Sequence, residues 1–142
     1  MIKSHLILPE KNINVEGGNV LHFMKNSSVG YTKFGEVYFS KLKSEVFKGW
    51  KKHTRMTANF VVPLGAVIFF IQDKFDGETF TKVKLDENIN YKRLIIMPNY
   101  WYGFCSASKQ TSLIGCVLNE EHDVCESIQC KENDFFCDWR KI

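Results

Sequence analysis

Several features that would assign the chain to a membrane, secreted or zinc-finger class are missing from its sequence. No apolar run approaches the roughly 20 residues that a membrane-spanning helix needs, which predicts no membrane segment. The first ten residues, MIKSHLILPE, hold no long apolar stretch and no small-residue cleavage site, so we expect no signal peptide and a cytoplasmic location. The five cysteines form no C-x-x-C pair and have no histidines at zinc-finger spacing. We expect reduced thiols, with a small structural metal site as the alternative.

Low-complexity segments, internal repeats and long stretches of helical periodicity are also missing. A length of 142 residues predicts a single domain covering residues 1–142. The net charge of +3 is too small to indicate a nucleic-acid partner, and it suits an anionic small molecule equally well. We therefore expect no nucleic acid and no membrane among the partners.

What the sequence does contain is a series of short apolar runs separated by turn residues. Aromatic residues make up 14% of the chain, with twelve phenylalanines, and such residues favour strands. Eight to ten short strands at close spacing predict an all-β sandwich or barrel of the jelly-roll kind. Only the segment from Asn119 onward is a candidate for a short helix. The predicted strands lie in SHLIL, VLHFMK, GEVYFSKL, SEVFKGW, TANFVV, AVIFFIQ, TFTKVKL, KRLIIM, WYGF and TSLIGCVL, and DKFDGE is a predicted turn.

A cluster of cations precedes the most apolar part of the chain, in the stretch VFKGWKKHTRMTANFVVPLG. Residues two apart on a regular strand share a face, so Lys51, His53 and Arg55 are predicted to line one wall. Histidine titrates near neutral pH and is suited to proton transfer, while a neighbouring cation can stabilise a developing negative charge. The alternative is a solvated group of charges at the mouth of a sheet.

Four stretches occur in an order typical of one enzyme family: FGEVYFS, FKGWKKHTRMT, VVPLGAV and IIMPNYWYGF. They resemble the cupin-fold nucleotide-sugar enzymes related to dTDP-4-dehydrorhamnose 3,5-epimerase and the sugar 3,4-ketoisomerases. The resemblance runs from about Gly18 to about His122. It implies a jelly-roll β-barrel, usually a homodimer, whose open end admits a thymidine-diphosphate 4-ketohexose. It also implies proton abstraction beside the ketone without a metal or other cofactor.

The resemblance also implies roles for individual residues. Lys48 stands where the epimerases have an arginine, and Lys51 stands where they have the catalytic histidine. His53 matches the second histidine of the His-x-His element of the ketoisomerases. We therefore expect His53 and Lys51 to act in proton transfer and charge stabilisation, and Lys48 and Arg55 to contact phosphate or carbonyl groups.

Aromatic residues complete the site that the resemblance implies. Tyr102 occupies the position of a family histidine, as a donor to the sugar or a replacement acid. Trp101 and Tyr102 are candidates for the substrate-binding wall, with a place in the core as the alternative. Tyr38 alternates with its apolar neighbours on a predicted strand and is a candidate for substrate contact, with a surface position as the alternative. Two departures argue against a double epimerisation, because Ala58 replaces a family lysine and the stretch CVLNEEHD lacks the acid tyrosine. The ligand set of metal-binding cupins is incomplete here, so no metal is predicted.

The sequence predicts an isomerase of a nucleotide-linked 4-keto-6-deoxyhexose in deoxysugar or polysaccharide biosynthesis. A single retained acid–base group favours C3 epimerisation or 3,4-ketoisomerisation. The alternative is a catalytically inactive cupin that binds a nucleotide sugar without converting it, because the expected histidine at Lys51 and the acid tyrosine are both replaced.

Overall fold

The computed structural model describes residues 3–72 and 79–130, and this part of the chain is built from strands without a helix. No helix long and apolar enough to cross a bilayer is found there. The predicted all-β class is confirmed. Twelve strands follow one another: β1 His5–Pro9, β2 Asn12–Ile13, β3 Val20–Leu21, β4 Glu36–Leu42, β5 Phe47–His53, β6 Ala58–Leu64, β7 Ala66–Gln72, β8 Thr81–Asp86, β9 Lys92–Ile96, β10 Trp101–Ser106, β11 Ser112–Leu118 and β12 Ser127–Gln129.

Ten of these strands form two five-stranded antiparallel sheets. The first sheet has the order β1-β9-β6-β11-β4, and the second has the order β12-β5-β10-β7-β8. Strands β2 and β3 form a small separate ribbon. The chain crosses repeatedly between the sheets, as in a jelly roll: β4, β6, β9 and β11 lie in the first sheet, whereas β5, β7, β8, β10 and β12 lie in the second.

The main hydrophobic core lies between the two sheets. Every second residue of a strand faces inward, so β6 and β7 each contribute three buried apolar side chains to this core. The core contains Leu42, Met56, Ala58, Phe60, Val62, Val67, Phe69, Ile71, Val83, Leu85, Leu94, Ile96, Tyr102, Ile114, Cys116 and Leu118.

A second apolar cluster, of Trp50, Phe70, Trp101 and Cys105, involves the opposite face of the second sheet. Trp50 is 1% exposed although it lies in the middle of the cationic stretch. The alternation along β5 therefore turns Trp50 away from the neighbouring Lys51.

Two glycines allow β5 and β10 to approach closely at an irregularity in their pairing. Gly49 is paired with Gly103, and a Cβ atom on Gly49 would lie 2.6 Å from the Cα atom of Gly103. The φ angle of Gly49 is +142°, a conformation that L side chains rarely adopt. Glycine is therefore required at this position both by space and by backbone conformation.

The structure differs from the sequence-based expectations in two places. Within VLHFMK only Val20–Leu21 is a strand, paired with β2. The short helix expected from Asn119 is wrong for residues 119–130, which form turns and β12. Hydrogen bonds between Glu126 and residues 54–56 hold this segment against the end of β5 instead. The predicted turn at 73–78 lies outside the described residues.

Candidate functional site

A cavity of about 380 Å³ opens into the space between the two sheets. Its walls come from strands of both sheets, and they combine cationic, phenolic and apolar side chains. Such a mixture of apolar surface with a few convergent polar groups is typical of a small-molecule site. The lining residues are Tyr38, Ser40, Lys48, Gly49, Trp50, Lys51, Phe60, Tyr102, Phe104, Ile114, Cys116, Gln129 and Cys130.

His53 ends β5 and is paired with a carboxylate from a distant part of the chain. Its Nδ1 atom lies 2.7 Å from Oε2 of Glu126, and the two residues are 4% and 1% exposed. Glu126 immediately precedes β12, whose Ser127 is aligned with His53 in the sheet. The pairing of β12 with β5 thus brings the carboxylate to the imidazole.

The Glu126 carboxylate is fixed by the backbone as well as by the histidine. Its Oε1 atom accepts hydrogen bonds from the amides of Arg55 and Met56, at 2.9 and 3.0 Å. Its carbonyl oxygen accepts the Thr54 hydroxyl at 2.7 Å. With Oε1 occupied by two donors, Oε2 is the oxygen that faces His53, so the imidazole has a defined orientation.

The other ring nitrogen of His53 faces a phenol. Nε2 lies 3.1 Å from the hydroxyl oxygen of Tyr102, and the two rings are stacked with centroids 6.0 Å apart. Because an ionised Glu126 only accepts, the Nδ1–H group donates to it and Nε2 is left to accept the Tyr102 O–H. The three side chains form one chain of hydrogen bonds from Tyr102 through His53 to Glu126.

The pKa values of the buried pair shift in the same direction. Burial lowers the pKa of His53 below its usual 6.5, Glu126 acts against this, and the charge of Lys51 lowers it further. For Glu126, burial alone would raise the pKa, but hydrogen bonds from His53 and from the Arg55 and Met56 amides outweigh it and lower the pKa. At neutral pH the pair is a neutral imidazole beside a carboxylate, the form of a general base.

Three weakly acidic groups cluster on the cavity wall. Cys116 is aligned with Tyr38 across β11 and β4, and each of the two side chains influences the pKa of the other. Burial raises the pKa of Cys116 to about 12 and raises that of Tyr38 as well. Burial also raises the pKa of Tyr102 well above 10. All three groups are therefore protonated at neutral pH, and the Tyr102 hydroxyl already donates to His53.

The cations of the basic stretch lie in different places. Lys51 and Lys48 border the cavity, and Lys48 Nζ donates to the Lys41 carbonyl at 3.1 Å. Lys52 is turned away and lies 5.0 Å from the centre of the Trp101 ring. Arg55 forms exposed ion pairs with Glu120 and Asp123.

Of the residues predicted from the sequence, the structure brings Tyr38, Lys48, Lys51 and Tyr102 to the cavity and places His53 directly behind Tyr102. It does not bring Arg55 or Trp101 there. The expectation of a shared face for Lys51, His53 and Arg55 required a regular strand, and β5 ends at His53. Trp101 lies next to Tyr102 on β10, so the alternation of the strand places it on the opposite face.

Glu126 and Cys116 were not identified from the sequence. A buried histidine needs a partner, which is a signal that an acid should be close by. Four acids lie between β11 and β12, at 120, 121, 123 and 126, and the sequence has no feature that selects Glu126. Glu126 reaches His53 because β12 pairs with β5, although the two strands are more than 70 residues apart in sequence.

A metal-binding cluster is not formed by the described part of the chain, where no three side chains of His, Cys, Asp or Glu converge. His53 uses both ring nitrogens in hydrogen bonds, and Glu126 is its only carboxylate partner there.

Comparison with protein-family models and with curated protein sequences finds no match. Solved structures do match. A dTDP sugar isomerase from Desulfovibrio desulfuricans G20 is 27% identical with a TM-score of 0.90, and the alignment covers 99% of this chain and 94% of that one.

Two further structures are similar in fold at lower identity. QdtA, a sugar 3,4-ketoisomerase from Thermoanaerobacterium thermosaccharolyticum in complex with TDP, is 13% identical with a TM-score of 0.75, covering 94% of this chain and 93% of its own. The 3,5-epimerase RmlC from Legionella pneumophila Philadelphia 1, in complex with dTDP-4-keto-L-rhamnose, is 17% identical with a TM-score of 0.78, covering 97% and 79%. The resemblance inferred from the sequence and the predicted cupin fold are both confirmed.

Proposed function

We propose that the chain is an isomerase of a nucleotide-linked 4-keto-6-deoxyhexose, with dTDP as the nucleotide. The observation that carries this proposal is the buried His53–Glu126 pair, held beside a cavity whose wall includes the cation Lys51. The similar solved structures are isomerases and epimerases of dTDP sugars, which supports the same substrate class.

Enolisation beside a ketone needs a base, a group that stabilises the enolate oxygen and an acid that returns a proton. In the proposed site the His53–Glu126 pair is the final acceptor of the substrate proton, and the Lys51 ammonium group lies near the oxygen where charge develops. Tyr38 and Tyr102 are protonated phenols on the same wall. These side chains supply every group that the reaction requires.

The diphosphate is proposed to lie at the mouth of the cavity near Lys48. This side chain is exposed, and its ammonium group donates to the Lys41 carbonyl. Binding a phosphate would therefore break only one exposed hydrogen bond. A lysine meets phosphate as a point charge without the bidentate geometry of arginine. Arg55 and Trp101 lie elsewhere and are left out of the proposed binding site.

The reaction is proposed to be C3 epimerisation or 3,4-ketoisomerisation, because one acid–base unit suits a proton shift at a single centre. The test is incubation of the protein with dTDP-4-keto-6-deoxyglucose in heavy water. We expect deuterium at C3 of the product if it is the C3 epimer and at C4 if it is the 3-keto isomer, with the proton NMR signals of that product. Absence of exchange with this sugar and with other nucleotide-linked 4-keto sugars would refute the proposal.

A second candidate function is binding of a nucleotide sugar without turnover. It is favoured by the hydrogen bond between the Tyr102 hydroxyl and His53, which occupies Nε2, and by the lysine at position 51. Stabilisation against heat by a dTDP sugar, without exchange or product over hours, would support this candidate against the enzyme.

We also propose that the chain forms a homodimer. Strand β4 is at the edge of the first sheet and exposes Val37 and Phe39, which are aligned with Val117 and Gly115 of β11. Exposed apolar groups at a sheet edge favour association. Sedimentation should give a dimer, and Phe39→Asp should weaken it while Ile89→Asp, at an exposed loop, should not. A cytoplasmic location and a role in polysaccharide biosynthesis stay predictions.

A further inference from the structure

We propose that Tyr102 is the group that takes the proton from the substrate carbon, and that it passes its own hydroxyl proton to Nε2 of His53. This proposal rests on the proposed isomerase function and assigns the proton path within that site. Tyr102 is then a catalytic residue, His53 is the buried proton acceptor, and Glu126 is a positioning residue.

Tyr102 lies closer to the cavity than His53 does. Tyr102 lines the cavity, whereas His53 is not among the lining residues and is hydrogen-bonded to the Tyr102 hydroxyl. The lone pair of Nε2 is occupied by the phenol O–H at 3.1 Å. A proton leaving a substrate in the cavity therefore meets the phenol oxygen before it meets the imidazole.

In the simplest alternative, a Tyr102 phenolate acts alone as the base, and formation of this buried anion is unfavourable. The side chain is 4% exposed, and the Phe60 ring contacts it edge-on with centroids 5.5 Å apart. Burial strongly disfavours the phenolate in such a place. If the phenol gives its proton to His53 while it accepts another, no phenolate is formed.

The proton balance is complete. The C–H bond beside the ketone breaks and its electron pair enters the enolate, whose oxygen faces the Lys51 ammonium group. The released proton bonds to Oη of Tyr102, and the former hydroxyl proton bonds to Nε2. His53 becomes an imidazolium ion that the Glu126 carboxylate stabilises, as in a triad in which a carboxylate orients and charges a histidine. After the C3 hydroxyl proton moves to the enolate oxygen on C4, the imidazolium ion returns a proton through Oη of Tyr102 to C4, which gives the 3-keto isomer. Return to the same face of C3 regenerates the substrate and leaves only hydrogen exchange.

The first test compares Tyr102→Phe with the wild type in the deuterium exchange of dTDP-4-keto-6-deoxyglucose. The expected result is a fall in kcat of about 100-fold or more with KM nearly unchanged, because the ring is kept and only the relay oxygen is lost. Tyr91→Phe removes a buried phenol far from the cavity and is the matched control, expected to keep the wild-type rate. Exchange at or above the wild-type rate in Tyr102→Phe would overturn the relay, since His53 would then act directly.

The second test needs neither a variant nor turnover, so its failure is separate from failure of the proposed function. Nitrogen-15 NMR of the imidazole of His53 in the ligand-free wild type reports which ring nitrogen holds the proton. The relay predicts a protonated Nδ1 and an unprotonated Nε2 at neutral pH. A protonated Nε2 would overturn it, even if the protein were an active isomerase.

Discussion

His53 and Glu126 are 73 residues apart in sequence, yet Nδ1 of one lies 2.7 Å from Oε2 of the other in the interior. The carboxylate sets the tautomer of the imidazole and directs Nε2 toward Tyr102. This pair connects a histidine visible in the sequence to a carboxylate that only the fold reveals.

Glu126→Gln should reverse the tautomer, because an amide nitrogen in place of Oε2 donates to Nδ1. Nε2 then carries the proton and cannot accept one. We expect a loss of kcat of about 10²–10⁴-fold, measured by deuterium incorporation at C3 or C4. Asp123→Asn removes an exposed carboxylate from the same loop and should leave the rate close to wild type. Equal rates for Glu126→Gln and the wild type would contradict the role assigned to the pair.

Lys51 and Lys52 are adjacent in sequence but lie on opposite faces of β5, one at the cavity and one against Trp101. Lys51→Met should lower kcat about 10²–10³-fold, because the enolate loses its nearest cation. Lys52→Met is the matched control and should change the rate little. Steady-state kinetics of the two variants measure the difference, and similar losses in both would argue against the assigned position of the enolate oxygen.

The acid limb of the pH profile of kcat/KM should lie below pH 6.5. The unprotonated imidazole is the active form, and activity falls as the pH drops through the pKa of His53, which burial lowers from 6.5. Around His53, Lys51 and His122 also lower this pKa, Glu126 raises it, and Tyr102 is uncharged. A profile measured from pH 4.5 to 8 tests the direction, and an acid limb above pH 6.5 would be inconsistent with this environment.

Gly49→Ala and Gly18→Ala separate backbone strain from steric contact. The two glycines have nearly the same φ, +142° and +141°, but a Cβ atom meets Gly103 at the first and nothing within 4 Å at the second. Gly49→Ala should therefore destabilise by about 1–3 kcal/mol more than Gly18→Ala, a typical cost of overpacking. Urea unfolding measures both, and equal losses would show that the contact between β5 and β10 is not restrictive.

Much of the fold was predictable because its strands carry strong local signals. Alternation along β4 turns Tyr38 to the cavity and leaves Phe39 exposed, and alternation along β10 turns Tyr102 to the cavity and Trp101 away from it. These relationships follow from the two-residue period of a strand.

The rest depends on where strands end and which distant strands pair. Arg55 lies beyond the end of β5 and turns outward to Glu120, a boundary that composition does not mark. The carboxylate of Glu126 reaches His53 only because three residues of β12 pair with β5. Short strands carry little sequence signal, so this partner could not be predicted locally.

The most direct test of the central claim compares the wild type with His53→Asn for deuterium uptake at C3 or C4 of dTDP-4-keto-6-deoxyglucose. Thermal unfolding with and without the sugar nucleotide is measured on the same samples. The account predicts exchange in the wild type, its loss in His53→Asn, and ligand stabilisation of both proteins. Equal exchange in the two proteins, or stabilisation without exchange in the wild type, would contradict the claim that His53 is the proton acceptor of an isomerase.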